Sequence, residues 1–202
     1  MSEQIRKWDE KFARGEELHG YEPSPPLAAA VANITPGLAL DVASGAGRHA
    51  IWLAERGWRV HAIDGSRTGI ERMLAEAARR GIAERIEARI ADLEAPDFAL
   101  PRDSYDLLCD FYFLHRPLFE QIRGAVRAGG LFVAALHVKG GAEPGRFVLD
   151  PGELRALVES WGWDVLVSRE GESPESGHRH PTAEIVARAP RTLPSEALTR
   201  GS

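Results

Sequence analysis

Three aspartates, Asp41, Asp64 and Asp92, and two glycines, Gly45 and Gly47, are the residues of this chain whose types and spacing can do chemistry. Asp41 closes the apolar run Leu38-Ala-Leu and stands four positions before Gly45-Ala-Gly47. A residue without Cβ lets ligand atoms pass close to the backbone, and Ala43, Ser44 and Gly45 would line that approach. In nucleotide-binding versions of such a turn a helix N-terminus faces a pyrophosphate, and a neighbouring carboxylate would repel that anion. The same carboxylate attracts a cation. Asp64 follows Gly45 by 19 positions, at the tip of Arg59-Val-His-Ala-Ile-Asp64, where a carboxylate can accept both hydroxyls of a ribose, with Gly65 and Ser66 beside it. Asp92, in Ile90-Ala91-Asp92-Leu93, is a third acid that can accept from an adenine amino group while the Leu93 N–H donates to a ring nitrogen.

These residues act together only if the elements carrying them end at one edge of one sheet. Apolar runs predict strands over Leu38–Ala43, Arg59–Ile63, Ile86–Ile90, Tyr105–Phe111, Gly130–His137, Trp163–Arg169 and Thr182–Ala189. Helical periodicity predicts Arg48–Arg56, Thr68–Arg80, Pro117–Ala128 and Pro151–Trp161 between them, after two short helices at Ile5–Phe12 and Leu27–Ile34. Alternation of this kind makes right-handed βαβ crossovers, a mostly parallel sheet and helices on both faces. The last two strands are joined by a Gly/Pro/Ser/His loop with no helical pattern, so they form a hairpin, and one must run antiparallel. In such a sheet ligands bind beyond the carboxyl ends of the strands, where the three acids are expected.

The ligand this pattern asks for is cationic, carries a ribose and a purine, and has no phosphate, which S-adenosylmethionine satisfies. The segment Asp41-Val-Ala-Ser-Gly-Ala-Gly-Arg48 resembles the class I S-adenosylmethionine-dependent methyltransferases. The Trp8-Asp9 helix, the Tyr21-Glu-Pro-Ser-Pro turn, Leu114-His-Arg-Pro117, Arg127-Ala-Gly-Gly-Leu131 and Phe147-Val-Leu-Asp-Pro-Gly-Glu-Leu154 look like the small bacterial group related to tellurite-resistance and thiopurine methyltransferases. Ser44 stands where many relatives have cysteine. The resemblance implies a Rossmann-like α/β fold of seven strands with the antiparallel hairpin at the C-terminal end. It also implies that Asp41 and the glycine loop hold the methionine end, Asp64 the ribose and Asp92 the adenine. Methyl transfer from S-adenosylmethionine to a small molecule, leaving S-adenosylhomocysteine, is the implied activity. Two other readings stay open: a catalytically silent S-adenosylmethionine sensor or scaffold, and a nicotinamide-dependent oxidoreductase, because Gly45-Ala-Gly47 with Ala50 satisfies a relaxed dinucleotide fingerprint.

Composition bounds the rest. Over 202 residues, 44% hydrophobic and 27% charged content excludes a disordered or fibrous chain. Residues 1–190 are read as one domain, a helical cover over 1–36 on a core over 37–190, with 191–202 a polar tail. A net charge of −5 argues against a nucleic-acid partner. No apolar leader or membrane-length segment is present, so a cytoplasmic location is expected and no membrane partner. The single cysteine, Cys109, reads as a buried strand residue, and no Cys/His/Asp spacing marks a metal site. On the acceptor side the candidates are His180 with His178 and Arg179 in the hairpin loop, and His115 and His137 at strand ends. Trp8, Tyr21, Phe111 and Tyr112 are candidates to roof the cofactor.

Overall fold

The computed structural model describes residues 2–16, 20–140, 147–173 and 180–191. His178, Arg179, the segment 141–146 and the tail from 192 onward lie outside the described residues. Among the described residues seven strands form one sheet: β1 Leu38–Val42, β2 Arg59–Asp64, β3 Ile86–Ile90, β4 Tyr105–Phe111, β5 Val126–His137, β6 Asp164–Gly171 and β7 Thr182–Arg188. Their order is β3-β2-β1-β4-β5-β7-β6. β1 to β5 pair in parallel, and β7 runs antiparallel between β5 and β6. The expected sheet and terminal hairpin are therefore present.

Helices α1 Glu3–Ala13, α2 Pro25–Val31, α3 Arg48–Glu55, α4 Arg67–Arg79, α5 Leu118–Ala125 and α6 Glu153–Ser160 cover it. Burial follows the sheet's two faces. Leu27, Ile51, Leu53, Ile70 and Met73 of α2, α3 and α4 pack with Val60, Leu107 and Val133. Leu118, Ile122, Leu154 and Val158 of α5 and α6 pack with Leu40, Leu108 and Phe132. Fully burying one such aliphatic side chain is worth about 1.5–3 kcal/mol, so the two apolar layers hold the strand ends in fixed register. No helix among the described residues is long and apolar enough to cross a membrane.

Several boundaries differ by a few residues from the sequence reading, and two of the differences have a plain physical cause. The helix expected over Pro117–Ala128 ends at Ala125, and β5 begins at Val126, whose backbone is already extended. Val126 pairs with Tyr105, and the register then shifts through Gly129 and Gly130. A Cβ on Gly130 would meet Tyr105 O at 2.9 Å, so the Gly-Gly pair is a bulge within a strand rather than a helix stop. β1 ends at Val42 because Ala43 adopts φ +52 and turns the chain into the glycine loop.

Gly47 has a packing role that its motif conceals. It stands at the N-cap of α3 with φ +83, and a Cβ there would lie 2.2 Å from Met73 Cγ of α4. Gly81, at φ +70, has open space around it. Gly81→Ala should cost about 1 kcal/mol in backbone strain, whereas Gly47→Ala adds the clash and should cost about 2–4 kcal/mol, lowering the thermal midpoint several degrees further. Equal midpoints for the two variants in a thermal melt would show that α3 and α4 do not need this close approach.

Candidate functional site

A cavity of about 560 Å³ opens at the carboxyl ends of the parallel strands. Asp41, Asp64 and Asp92 all line it, from the tips of β1 and β2 and from the segment leaving β3. Ala43, Ser44, Gly45, Gly65, Leu93 and Phe111 line it as well. Each sits where its strand stops and the next connection begins, which is why residues spread over more than 70 positions face one space.

Asp41 is buried, and its Oδ2 accepts the Ala50 N–H at 3.0 Å. Gly47 cannot cap α3 with a side chain, so the strand carboxylate reaches one of the helix's unpaired donors instead. Burial pushes the Asp41 carboxyl up to about 7; the Ala50 hydrogen bond opposes this, Asp64 adds to it, and Arg48 opposes it. Asp64 is fixed by two backbone donors, Gly45 N–H to Oδ2 at 2.7 Å and Ser66 N–H to Oδ1 at 2.6 Å. Each carboxylate oxygen keeps a further acceptor position. Burial raises the Asp64 carboxyl above its usual range against those two bonds. Asp92 accepts the Glu94 N–H at 3.0 Å in a tight turn. The Ser44 hydroxyl is buried on the same wall and makes no hydrogen bond among the described residues.

Three expected cofactor contacts are placed elsewhere. Gly47 is not on the cavity wall, for the packing reason given above. Ser66 caps α4: its hydroxyl accepts the Gly69 N–H at 3.0 Å and donates to Asp9 Oδ1 at 2.6 Å, away from the cavity. Ala91 is also off the wall, and its N–H donates to Asp64 O at 3.0 Å to prolong the β2–β3 ladder. Gly45 does border the cavity, at φ +54, but the group that a Cβ would meet is the Phe12 ring, 2.7 Å away. The glycine accommodates the cover as much as a ligand.

That cover is α1, which presents Ile5, Trp8 and Phe12 to the cavity. Asp9 fastens it to α4, accepting from Ser66 Oγ, from Thr68 N–H at 2.9 Å and from Thr68 Oγ1 at 2.9 Å. These bonds, the Ser66 one foremost, hold the Asp9 carboxyl below its usual range. Of the expected roof residues, Trp8, Phe111 and Tyr112 line the cavity, while Tyr21 lies apart beneath the Arg80 guanidinium. Phe12 and Ile5 were readable from the stripe Ile5, Trp8, Phe12 at helical spacing. Arg48 and His49 border the cavity too, and His49 carries no signal beyond its place in the first turn of α3. Cys109 is buried and off the wall, its thiol pushed well up by burial and then by Asp41 and Asp110, as expected of a structural residue. His137 and His180 also line the cavity; His115 does not.

A methyltransferase-domain family model matches residues 39–130, the span from β1 into β5 that carries all three acids. No curated protein sequence matches the chain. Among solved structures, a Burkholderia thailandensis 1,6-didemethyltoxoflavin N1-methyltransferase with its acceptor and S-adenosylhomocysteine bound is 20% identical, with TM-score 0.71 over 93% of this chain and 87% of that one. TehB from Haemophilus influenzae is 17% identical, with TM-score 0.71 over 91% of this chain and 67% of that one. The [4+2]-cyclase SpnF is 16% identical, with TM-score 0.71 over 94% of this chain and 95% of that one. The fold is that of the class I methyltransferases. Because a cyclase shares it, the chemistry must be argued from the site.

The raised Asp41 carboxyl has two measurable consequences. The folded chain keeps a proton that the unfolded chain releases near pH 4, so stability falls as pH rises from about 4 to about 7 and the full cost is present above 7. Asp41→Asn, which retains an acceptor for Ala50, should raise the thermal midpoint of the ligand-free protein by several degrees at pH 8 and by almost nothing at pH 4. A cationic ligand held by the ionised carboxylate should bind about tenfold more weakly per pH unit below 7 in the parent protein. A variant that is no more stable than the parent at pH 8 would show that Asp41 is not strained by its burial.

Proposed function

We propose, from the premise that this chain carries the methyltransferase domain on a class I fold, that it transfers a methyl group from S-adenosylmethionine to a small molecule. The protein is an S-adenosylmethionine-dependent transferase. The observation that carries this reading is the set of three carboxylates at successive strand ends around one cavity, two of them buried at a free-energy cost. A ligand bearing positive charge relieves that cost, and a pyrophosphate would raise it, which sets the nicotinamide reading aside.

The residues fit S-adenosylmethionine in detail. Asp41 is suited to the ammonium of the methionine end, and the two remaining acceptor positions of Asp64 to the two ribose hydroxyls. Asp92 with the Leu93 N–H is suited to the adenine, with Phe111 and Leu93 as apolar walls. The buried Ser44 hydroxyl gains a partner when the loop is occupied. When bound, the sulfonium supplies an already activated methyl group, so the chain's task is to hold an acceptor in line at about 3–3.5 Å and exclude water. Trp8 and Phe12 of α1 close the space, and the strand ends from β4 onward provide the acceptor wall. The neighbour from Burkholderia is a 1,6-didemethyltoxoflavin N1-methyltransferase, and a small-molecule acceptor is equally suited to a cavity of about 560 Å³ shared with the cofactor. The acidic net charge supports a partner other than nucleic acid, and the lack of a membrane-length helix among the described residues agrees with a cytoplasmic place of action.

Calorimetric titration with S-adenosylhomocysteine, NADH and NADPH tests the reading directly. Micromolar binding of the first alone is expected. Asp64→Ala should lose hydrogen bonds to a carboxylate worth about 1.5–3 kcal/mol each, lowering that affinity more than tenfold in a variant that melts as one cooperative transition. Undiminished affinity would place the ribose elsewhere, and methylation of any acceptor by the parent would dispose of a silent sensor.

A further inference from the structure

The acids occupy one end of the cavity, and rings wall the other. His49, His137 and His180 are the described imidazoles that border it. His49 is already engaged: its Nε2 lies 3.3 Å from the Ser24 N–H and 3.2 Å from Ser24 Oγ, and its ring packs 4.1 Å from that of Phe111. His61 pairs with the Tyr105 hydroxyl at 3.1 Å, away from the cavity wall, and His115 stands 3.9 Å from Glu94 Oε1, also off the wall.

His137 is held differently. It is the last residue of β5 and pairs in register with Thr182 of β7, so the sheet ladder sets its position. Its half-buried ring lies 5.0 Å from the Tyr112 ring and 5.7 Å, edge to face, from the ring of exposed His180. Tyr112 sits at φ +64, an unusual conformation for a bulky residue, pinned by its N–H donating to Ala135 O at 2.8 Å. Strain of this kind persists only where the surroundings impose it, and here it directs a phenol ring against His137.

We propose that His137 is the catalytic residue that takes the acceptor's proton, with Tyr112 and His180 as positioning residues that hold its ring. The proposal rests on the methyltransferase reading above. The acceptor X–H contributes an electron pair to a new X–CH3 bond, and the S–CH3 bond of the sulfonium donor breaks with its pair passing to sulfur, leaving a neutral thioether. The X–H proton goes to a ring nitrogen of His137, imidazole being the side chain suited to take up a proton near neutral pH. The acceptor class follows: a group that still carries its proton at neutral pH, such as a phenol, rather than a thiolate or oxyanion that has already lost it. The titratable described side chains whose rings face His137 are Tyr112, from the exit of β4, and His180, from the segment entering β7.

The experiment uses two naphthalenes of one shape, 2-naphthol, which keeps its proton at pH 8, and 2-naphthalenethiol, which is largely thiolate there. Parent, His137→Ala and His137→Gln are titrated with S-adenosylhomocysteine, the resulting complexes with each naphthalene, and methyl transfer is followed against pH. Both variants should hold S-adenosylhomocysteine within about twofold of the parent, and if the alanine variant does not, the glutamine variant of similar size carries the comparison. In the parent complex, 2-naphthol should bind and shift the His137 ring signals in nitrogen-15 NMR. Loss of His137 should lower kcat for 2-naphthol by about a hundredfold with little change in KM, spare the thiol within threefold, and be partly rescued in the alanine variant by added imidazole. Equal losses for both acceptors, no loss, binding of neither naphthalene, or binding without methylation overturns the proposal. Failure of the parent to bind S-adenosylhomocysteine overturns the cofactor reading instead, and the proposal falls with it.

Discussion

Burying two carboxylates at neighbouring strand tips is the constraint on which the rest of this structure depends. Asp41 and Asp64 lie under the cover, and a buried acid without compensation is driven toward its neutral form. The fold compensates with backbone donors of helix starts and of the glycine loop: Ala50 for Asp41, Gly45 and Ser66 for Asp64. For Asp64 those donors are two, one to each oxygen. For Asp41 there is one, and its carboxyl rises to about 7. Asp110, one strand over and buried, adds a third acid to the same region and is pushed well up by burial, then by Asp41. Stability is thus given up at the place where a cation would restore it.

The same donors organise the cover. Because Ser66 donates its N–H to Asp64 and its hydroxyl to Asp9, the acid at the tip of β2 and the N-terminal helix share one residue. Asp9 accepts three bonds at the start of α4, one of them from the Thr68 N–H, and so adds to the cap that Ser66 gives the same helix. α1 is in this way tied to the element that follows Asp64, and Phe12 and Ile5 fill the space that Gly45 and Gly65 leave free. The glycines of the motif, the packing of α1 and the geometry of Asp64 are one arrangement seen from three sides.

That three acids share one cavity was legible in the sequence, and the reason is local. Asp41, Asp64 and Asp92 each end an apolar run, and in a parallel sheet the end of a run is the ligand edge. The misplacements have an equally physical source. Gly47 needs to lack a Cβ because Met73 approaches it, and a glycine required by a neighbouring helix spells the same as one required by a ligand. Ser66 follows an acid at a strand tip, which suits a ligand contact and a helix cap alike, and only its bonds to Gly69 and Asp9 separate the two. The end of α5 was misread because Arg127-Ala-Gly-Gly resembles a helix stop, whereas the pairing of Val126 with Tyr105 makes it a bulged strand. Strand pairing is a long-range fact that no window of sequence contains.

The ring-lined wall of the cavity was less legible for that same reason. Tyr112, His137 and His180 are separated by 25 and 43 positions, and the sheet order β4-β5-β7 brings them together. Had β7 been parallel, its first residues would lie at the opposite edge from the cavity. Because it runs antiparallel, the segment entering it, with His180, reaches the edge where β5 ends in His137 and β4 in Phe111 and Tyr112. The terminal hairpin therefore does more than complete the sheet. It returns the chain to the cavity edge once more after the parallel strands have supplied their own ends, and it sets a half lined by backbone-held acids against a half lined by rings.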